Sequence, residues 1–151
     1  MEPTSWDYFA PYQPDIQEAL HKVQERVFAR GEYEDASQEL TMAGAGASAR
    51  PRSVEELRER CGDRGTHSIL DIRGVAPHPE SRAVSPLPRH KLDELFGTDK
   101  PELEAFENDL KAASEEGTEL FGEMEDWRGI YLILYQHGKP DQIFFHGSSG
   151  G

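Results

Sequence analysis

The 151-residue sequence is poor in several features that would point to particular classes of protein. It has one cysteine, Cys61, so no disulfide can form within the chain. No apolar run approaches the roughly 20 residues that a membrane-spanning helix needs. The N-terminal segment lacks the basic and apolar regions of a secretory signal. These absences predict one domain over residues 1–151, located in the cytoplasm and not bound to membranes.

Positive charge is also scarce. Lys and Arg number 16 against 29 Asp and Glu, which gives a net charge of −13. Residues 93–126 alone hold thirteen acidic and two basic residues, a net −11. Such a field repels nucleic-acid phosphates and anionic lipid surfaces, and it accelerates association with basic proteins. The composition therefore predicts no nucleic-acid binding and favours a basic protein partner.

Sequence motifs for metals, nucleotides and nucleophilic catalysis are missing as well. The six histidines show no His-x₃-His or His-Glu-x-x-His spacing, and no Cys-x-x-Cys occurs. Gly44, Gly46 and Ala49 formally match a dinucleotide fingerprint, but no strand precedes them and Pro51 interrupts the helix that should follow. We therefore expect no metal site and no cofactor.

What the sequence does contain is a strong β-hairpin signal at residues 129–146, GIYLILYQHGKPDQIFFH. Two runs of β-branched and aromatic residues flank a turn sequence, HGKP. A turn centred on Gly138 predicts that Leu134 pairs with Ile143 and Leu132 with Phe145. Alternation then gives one apolar face, made of Ile130, Leu132, Leu134, Ile143 and Phe145. The opposite face is a mixture of apolar and polar residues. It could be part of the core, a ligand pocket or a dimer interface, and the sequence leaves these three alternatives open. Its residues are Tyr131, Ile133, Tyr135, Gln142, Phe144 and His146.

The rest of the pattern predicts an α+β fold with about four helices packed mainly on one face of a small antiparallel sheet. Helix signals follow Pro14, Ser53, Pro88 and Pro101, and a third strand is predicted over residues 66–72, THSILDI. The sheet should thus have about three strands. Residues 1–13 are expected to form an extended arm, residues 36–52 a flexible connection and residues 147–151 a flexible tail.

Function is predicted from the acidic segment. We expect a non-catalytic protein-binding module, as an immunity-type inhibitor or a regulatory adaptor would be, whose acidic surface contacts a basic partner. The expected contact residues are Glu102, Glu107, Asp109, Glu115, Glu116, Glu123, Asp126 and Trp127.

The alternative is a small enzyme or ligand-binding protein that uses the mixed face of the hairpin. A carboxylate that orients an imidazole is a common acid–base arrangement. If the strand at 66–72 lies beside the hairpin, the chain can assemble such a group from His67, Asp71, Arg73 and His146. A homodimer through exposed aromatic residues of the hairpin is a third alternative, with Tyr131, Tyr135 and Phe144 as its contacts.

Two stretches of the chain also look familiar together. They are SWDYF with PDIQEAL near the start, and LFGT, GIYLILY and GKPDQIFF towards the end. The chain resembles a group of small, acidic, bacterial hypothetical proteins. The resemblance implies a bacterial, cytoplasmic, single-domain protein, and it assigns no activity to any residue.

Overall fold

The computed structural model describes residues 4–33, 51–62, 65–122 and 124–149. The strands are β1 (Thr4–Pro11), β2 (Gly74–Val75), β3 (Ala83–Pro86), β4 (Arg128–Gln136) and β5 (Lys139–Ser149). The helices in this part of the chain are α1 (Ile16–Arg30), α2 (Val54–Cys61), α3 (Arg89–Phe96) and α4 (Leu103–Glu116), with a 3₁₀ helix at Ile69–Asp71. The predicted α+β class is confirmed.

The sheet is larger than predicted and is mixed. Its five strands lie in the order β1-β5-β4-β3-β2. The pairs β1–β5 and β4–β5 are antiparallel, whereas β2–β3 and β3–β4 are parallel. The prediction of about three antiparallel strands is therefore wrong, because strands distant in sequence from the hairpin extend the sheet on both sides, β1 beside β5 and the short β3 and β2 beside β4.

The edge of the sheet next to β5 is formed by β1, which comes from the other end of the described chain. The predicted extended arm is strand β1, which pairs with β5 from Thr4 opposite Ser149 to Pro11 opposite Gln142. Pro11 ends an edge strand, a position where a missing N–H is tolerated. The predicted flexible tail is also wrong for residues 147–149, because Ser148 and Ser149 are buried in β5.

The strand predicted over residues 66–72 is a tight turn followed by the 3₁₀ helix. The Ser68 hydroxyl accepts a hydrogen bond from the Leu70 N–H at 3.2 Å and so caps the short helix. His67 has a φ of 54°, in the left-handed region, which is incompatible with a strand. The prediction failed because local capping by Ser68 prevails over the β-branched composition of the segment.

The hairpin forms, but its register differs by one residue from the predicted one. An irregularity between Leu134 and Tyr135 places Leu134 opposite Gln142, so Ile133 pairs with Ile143. A shift of one residue moves the β5 side chains to the opposite face relative to β4. Phe144 is therefore fully buried on the same side as Leu132. The predicted mixed face does not exist as one surface, and Phe144 is not exposed for a dimer contact.

Helices cover both faces of the sheet, so the prediction that they pack mainly on one face is wrong. On the α1 face, α1, α2 and the 3₁₀ helix bury a cluster that includes Ile143 and Phe145. On the α4 face, α3 and α4 pack against Leu132 and Phe144, with Phe106 of α4 at 0% exposure. The sheet thus forms the middle layer between two apolar cores.

The four helices begin one or two residues after the sequence signals at Pro14, Ser53, Pro88 and Pro101. Asp15 caps α1 by accepting from the Glu18 N–H at 3.2 Å, and Ser53 caps α2 by accepting from the Glu56 N–H at 3.1 Å. Gly31, Gly97 and Gly117 end helices α1, α3 and α4 in the left-handed conformation. The predicted flexible connection over 36–52 lies outside the described residues, apart from Pro51 and Arg52.

Candidate functional site

The residues predicted to form an acid–base group do not come together. Asp71 accepts a hydrogen bond from the Ser149 hydroxyl at 2.7 Å, which places its carboxylate on the α1 face. His146 lies three residues earlier in β5, so its side chain points to the α4 face. Arg73 precedes β2 on the Asp71 side, and His67 lies in the turn before the 3₁₀ helix. The sheet therefore separates His146 from the other three residues.

His146 has a different partner, Asp7 of β1. The two residues are directly opposite in the β1–β5 register, and His146 Nδ1 hydrogen-bonds Asp7 Oδ1. Because a carboxylate accepts, Nδ1 carries the proton and Nε2 of a neutral ring is an acceptor. Nε2 is buried and has no hydrogen-bond partner among the described residues. The Phe121 ring lies 5.2 Å from the imidazole, centroid to centroid.

Sequence reasoning missed Asp7 although a signal was present. Residues 5–10 alternate, with Trp6, Tyr8 and Ala10 on the α1 face and the intervening side chains on the other. This alternation is typical of a strand. The flanking prolines at positions 3 and 11 favoured an extended arm rather than a strand of the sheet, so no partner for His146 was sought there.

The Asp7–His146 pair lies in a groove on the α4 face that has a volume of about 620 Å³. Strands β1 and β5 form one side, and α4 with the turn that follows it forms the other. Three carboxylates line the groove, those of Asp7, Glu107 and Glu119, and Lys111 is its lysine. Its apolar lining consists of Phe9, Leu110, Ala113, Leu120 and Phe121. We call this feature the acidic groove.

Of the predicted partner contacts that the structure describes, Glu107 is the one that lines this groove. Five of the predicted contacts are exposed on or next to α4, namely Glu102, Glu107, Asp109, Glu115 and Glu116. Asp126 is exposed before β4, and Glu123 lies outside the described residues. Trp127 lies apart from them, because its ring is covered by the Arg82 guanidinium at 4.4 Å on the α1 face.

Two carboxylates of α4 lie at the end of the helix where the helix dipole is unfavourable to negative charge. Glu115 and Glu116 occupy the last turn, next to Gly117, and this turn has no basic residue. Carboxylates at a helix C-terminus face the negative end of the dipole and cost about 0.3–1 kcal/mol each. Neither residue forms an ion pair within the part of the chain that the structure describes. Fold stability therefore does not account for these two charges.

Other kinds of site find less support in residues 4–33, 51–62, 65–122 and 124–149. No group of three His, Cys, Asp or Glu residues there is arranged to hold a metal ion. No helix there combines the length and apolarity that crossing a bilayer requires. Comparisons with known protein families, curated proteins and solved structures gave no match. The acidic groove is therefore interpreted from its own chemistry.

Proposed function

We propose that the protein is a non-catalytic binding module whose acidic groove, with the exposed carboxylates of α4, engages a basic protein partner. A lysine or arginine side chain of that partner enters the groove. An immunity-type inhibitor or a regulatory adaptor acts in this manner. The observation that carries the proposal is the combination of three carboxylates and an apolar lining in one groove of about 620 Å³.

The groove is chemically complementary to a long basic side chain. Lysine and arginine bury an apolar stem while their charged end keeps polar contacts. Phe9, Leu110 and Phe121 can contact the stem, and the carboxylates of Glu107 and Glu119 can accept hydrogen bonds from the charged end. Charge-assisted hydrogen bonds of this kind are about twice as strong as neutral ones.

The surrounding charge supports the same partner. Helix α4 carries five acidic residues and one lysine. Glu115 and Glu116 at its C-terminal end interact unfavourably with the negative end of the helix dipole. A cationic partner would relieve this repulsion and would also be drawn to the surface over long distances. Association should therefore be fast at low salt and slower as the salt concentration rises.

The test uses fluorescent alanine-based peptides that differ only in carrying two arginines or two glutamates. Titration of the wild-type protein should give saturable binding of the arginine peptide alone. Reversing two groove charges, Glu107→Lys with Glu119→Lys, should weaken binding by about tenfold or more, since each lost charge-assisted contact is worth at least 1 kcal/mol or so.

A matched control separates groove binding from overall charge. Glu18→Lys with Glu25→Lys makes the same change in net charge on exposed positions of α1, across the sheet from the groove. This control should change the affinity by no more than about twofold under screened conditions. Equal losses in the two double variants would contradict the proposal, because the attraction would then depend on net charge alone.

A small enzyme is the second candidate, favoured by the Asp7–His146 pair. A carboxylate that orients an imidazole with a free Nε2 is the arrangement of a general base. A general base must reach its proton at about 2.6–3.2 Å, whereas Nε2 is enclosed by protein here. Hydrolysis of p-nitrophenyl acetate decides between the two: the binding module predicts equal rates for wild type and His146→Gln, and a large loss would favour the enzyme.

A further inference from the structure

The α1 face carries a cluster of three arginines, Arg58, Arg73 and Arg82, that the proposed function does not use. Arg73, Arg82 and Trp127 immediately precede β2, β3 and β4, which are parallel. The Arg73 N–H donates to the Arg82 carbonyl at 2.6 Å, and the Arg82 N–H donates to the Trp127 carbonyl at 2.5 Å. These bonds align the three residues in one row across the sheet.

The third arginine comes from helix α2. Arg58 Nε donates to the Leu70 carbonyl and its terminal nitrogen donates to the Ile72 carbonyl, both at 2.7 Å. The guanidinium is thereby held in one orientation. Burial lowers the pKa of Arg58, and the nearby positive charge of Arg73 lowers it further. Arg58, Arg73 and Arg82 all line one small cleft.

Contacts with the rest of the fold hold two members of the cluster, Arg58 and Arg82. Arg82 and Trp127 have φ values of 62° and 66°, in the left-handed region that residues other than glycine seldom adopt. The Arg82 guanidinium lies over the Trp127 ring at 4.4 Å, a cation–π contact. Backbone strain that the surrounding structure maintains is often found at binding sites.

The positive charge of the cluster is only partly offset within the described part of the chain. Asp71 lines the same cleft, but its Oδ1 accepts from the Thr66 N–H at 2.6 Å and its Oδ2 from the Ser149 hydroxyl at 2.7 Å. No described carboxylate pairs with Arg58, Arg73 or Arg82 within 4.0 Å. Two guanidinium groups held by the fold, those of Arg58 and Arg82, lie with the exposed Arg73 around the one carboxylate that lines the cleft, which leaves a local excess of positive charge in a chain of net charge −13.

We propose that this arginine cluster binds the phosphoryl group of a small phosphate monoester. The cleft between the arginines has a volume of about 10 Å³, which is room for about one water-sized atom. One phosphoryl oxygen enters the cleft, and the other two face Arg73 and Arg82 at its mouth. Planar guanidinium groups match the oxygens of a phosphoryl group and carry the charge that a dianion requires. The site lies across the sheet from the acidic groove, so it is independent of the proposed function.

The test is a titration of the full-length protein with inorganic phosphate, with sodium chloride added to keep the ionic strength constant. Fluorescence of Trp127 reports on the cluster, and the shift in melting temperature reports on binding to the native state. Both should saturate with phosphate and not with chloride. A Trp127→Phe variant should lose most of the fluorescence response and retain the shift in melting temperature.

Two arginine variants locate the site. The Arg73 side chain is exposed, so Arg73→Gln should fold normally and weaken phosphate binding by about tenfold or more. Arg89→Gln removes the same charge from an exposed position on α3 and should change the affinity by less than about twofold. Arg82→Lys keeps the charge but removes the planar group, and it should also weaken binding.

The source of the phosphoryl group is distinguished by two further ligands. Tighter binding of adenosine monophosphate than of inorganic phosphate would indicate a nucleotide, and tighter binding of phosphoserine would indicate a phosphorylated side chain. Either result supports the site. The proposal is overturned if phosphate acts no differently from chloride, or if Arg73→Gln and Arg89→Gln have equal effects.

Discussion

Charged residues on the two faces of the sheet differ in their exposure and in their hydrogen bonding. On the α1 face, Asp71 is 4% exposed and both its carboxylate oxygens are hydrogen-bonded, and the Arg58 guanidinium is fixed by two carbonyls. On the α4 face, the carboxylates of α4 are exposed, and two of them oppose the helix dipole. The difference teaches that the charges of Asp71 and Arg58 are part of the folded structure, whereas the exposed carboxylates of α4 are available to a partner.

The largest expected effect comes from Asp71. Asp71→Ala leaves the Thr66 N–H and the Ser149 hydroxyl buried without an acceptor, and it removes a negative charge beside the arginine cluster. We expect a loss of about 3–5 kcal/mol in the free energy of unfolding. Urea denaturation measures it. Asp71→Asn keeps one acceptor oxygen and should recover part of the loss.

The matched control for Asp71 lies on the other face. Asp109 is exposed on α4, so Asp109→Ala should change the free energy of unfolding by no more than about 0.5 kcal/mol. Similar losses in Asp71→Ala and Asp109→Ala would show that the contrast between the two faces is wrong.

A smaller loss is expected where Trp6 packs against β4 and β5. Gly147 has no room for a side chain, because a Cβ there would lie 2.5 Å from Trp6 Cη2 and 2.7 Å from the Arg128 carbonyl oxygen. Trp6 Nε1 is buried without a hydrogen-bond partner in the described residues, so shape alone holds the ring in place. Gly147→Ala should cost about 1–3 kcal/mol in urea denaturation.

Gly74 provides the comparison for Gly147. Its φ is outside the left-handed region, and the nearest atom to an added Cβ is Gln17 Oε1 at 3.4 Å, an ordinary contact. Gly74→Ala should therefore change stability by less than about 0.5 kcal/mol. If Gly147→Ala is equally mild, Trp6 can move away and the α1-face core is less tightly packed than described.

How much of this architecture could be predicted from the sequence depends on the distance between interacting residues. The starts of the helices were predicted well because a capping residue such as Ser53, or a proline before the first turn, acts within one turn of its own helix. The sheet was predicted poorly because β1 pairs with a strand more than 130 residues away. No local pattern encodes that pairing.

The candidate site shows the same limit. The exposed acids of α4 were predicted because composition alone reveals them. The pairing of His146 with Asp7 was missed, because it depends on the long-range β1–β5 register and on which face His146 occupies. The irregularity between Leu134 and Tyr135 changed that face, and a shift of one residue leaves no trace in composition.

The half-buried tyrosines of the α1 face, Tyr8 and Tyr131, predict a loss of stability at high pH. Burial raises the pKa of Tyr8 and of Tyr131 above the ordinary value of 10.0. Above about pH 10 the unfolded chain therefore loses these protons before the folded protein does. The free energy of unfolding should be unaffected by these groups below that pH and should fall as the pH rises through the folded-state pKa values.

Urea midpoints between about pH 8 and pH 11 measure this effect. Tyr8→Phe and Tyr131→Phe remove the titrating hydroxyl, so each should flatten the decrease above about pH 10 while leaving the curve near pH 8 parallel to that of wild type. An unchanged slope in the double variant would mean that the two hydroxyls are hydrated in the folded protein, contrary to their burial against the α1-face core.

The smallest effects have opposite signs at the two ends of α4. Glu115→Gln and Glu116→Gln each remove a charge from the negative end of the helix dipole and should raise the free energy of unfolding by about 0.3–1 kcal/mol at low salt. Glu104→Gln removes a charge from the positive end, in the first turn, and should lower it by a similar amount. All three differences should shrink at about 1 M salt, where screening acts within about 3 Å. The two C-terminal variants should bind the arginine peptide less well although they are more stable, a combination that is expected only if these charges serve a partner. A loss of stability in Glu115→Gln or Glu116→Gln would instead make them part of the fold, and the two faces of the sheet would then not differ in the way proposed.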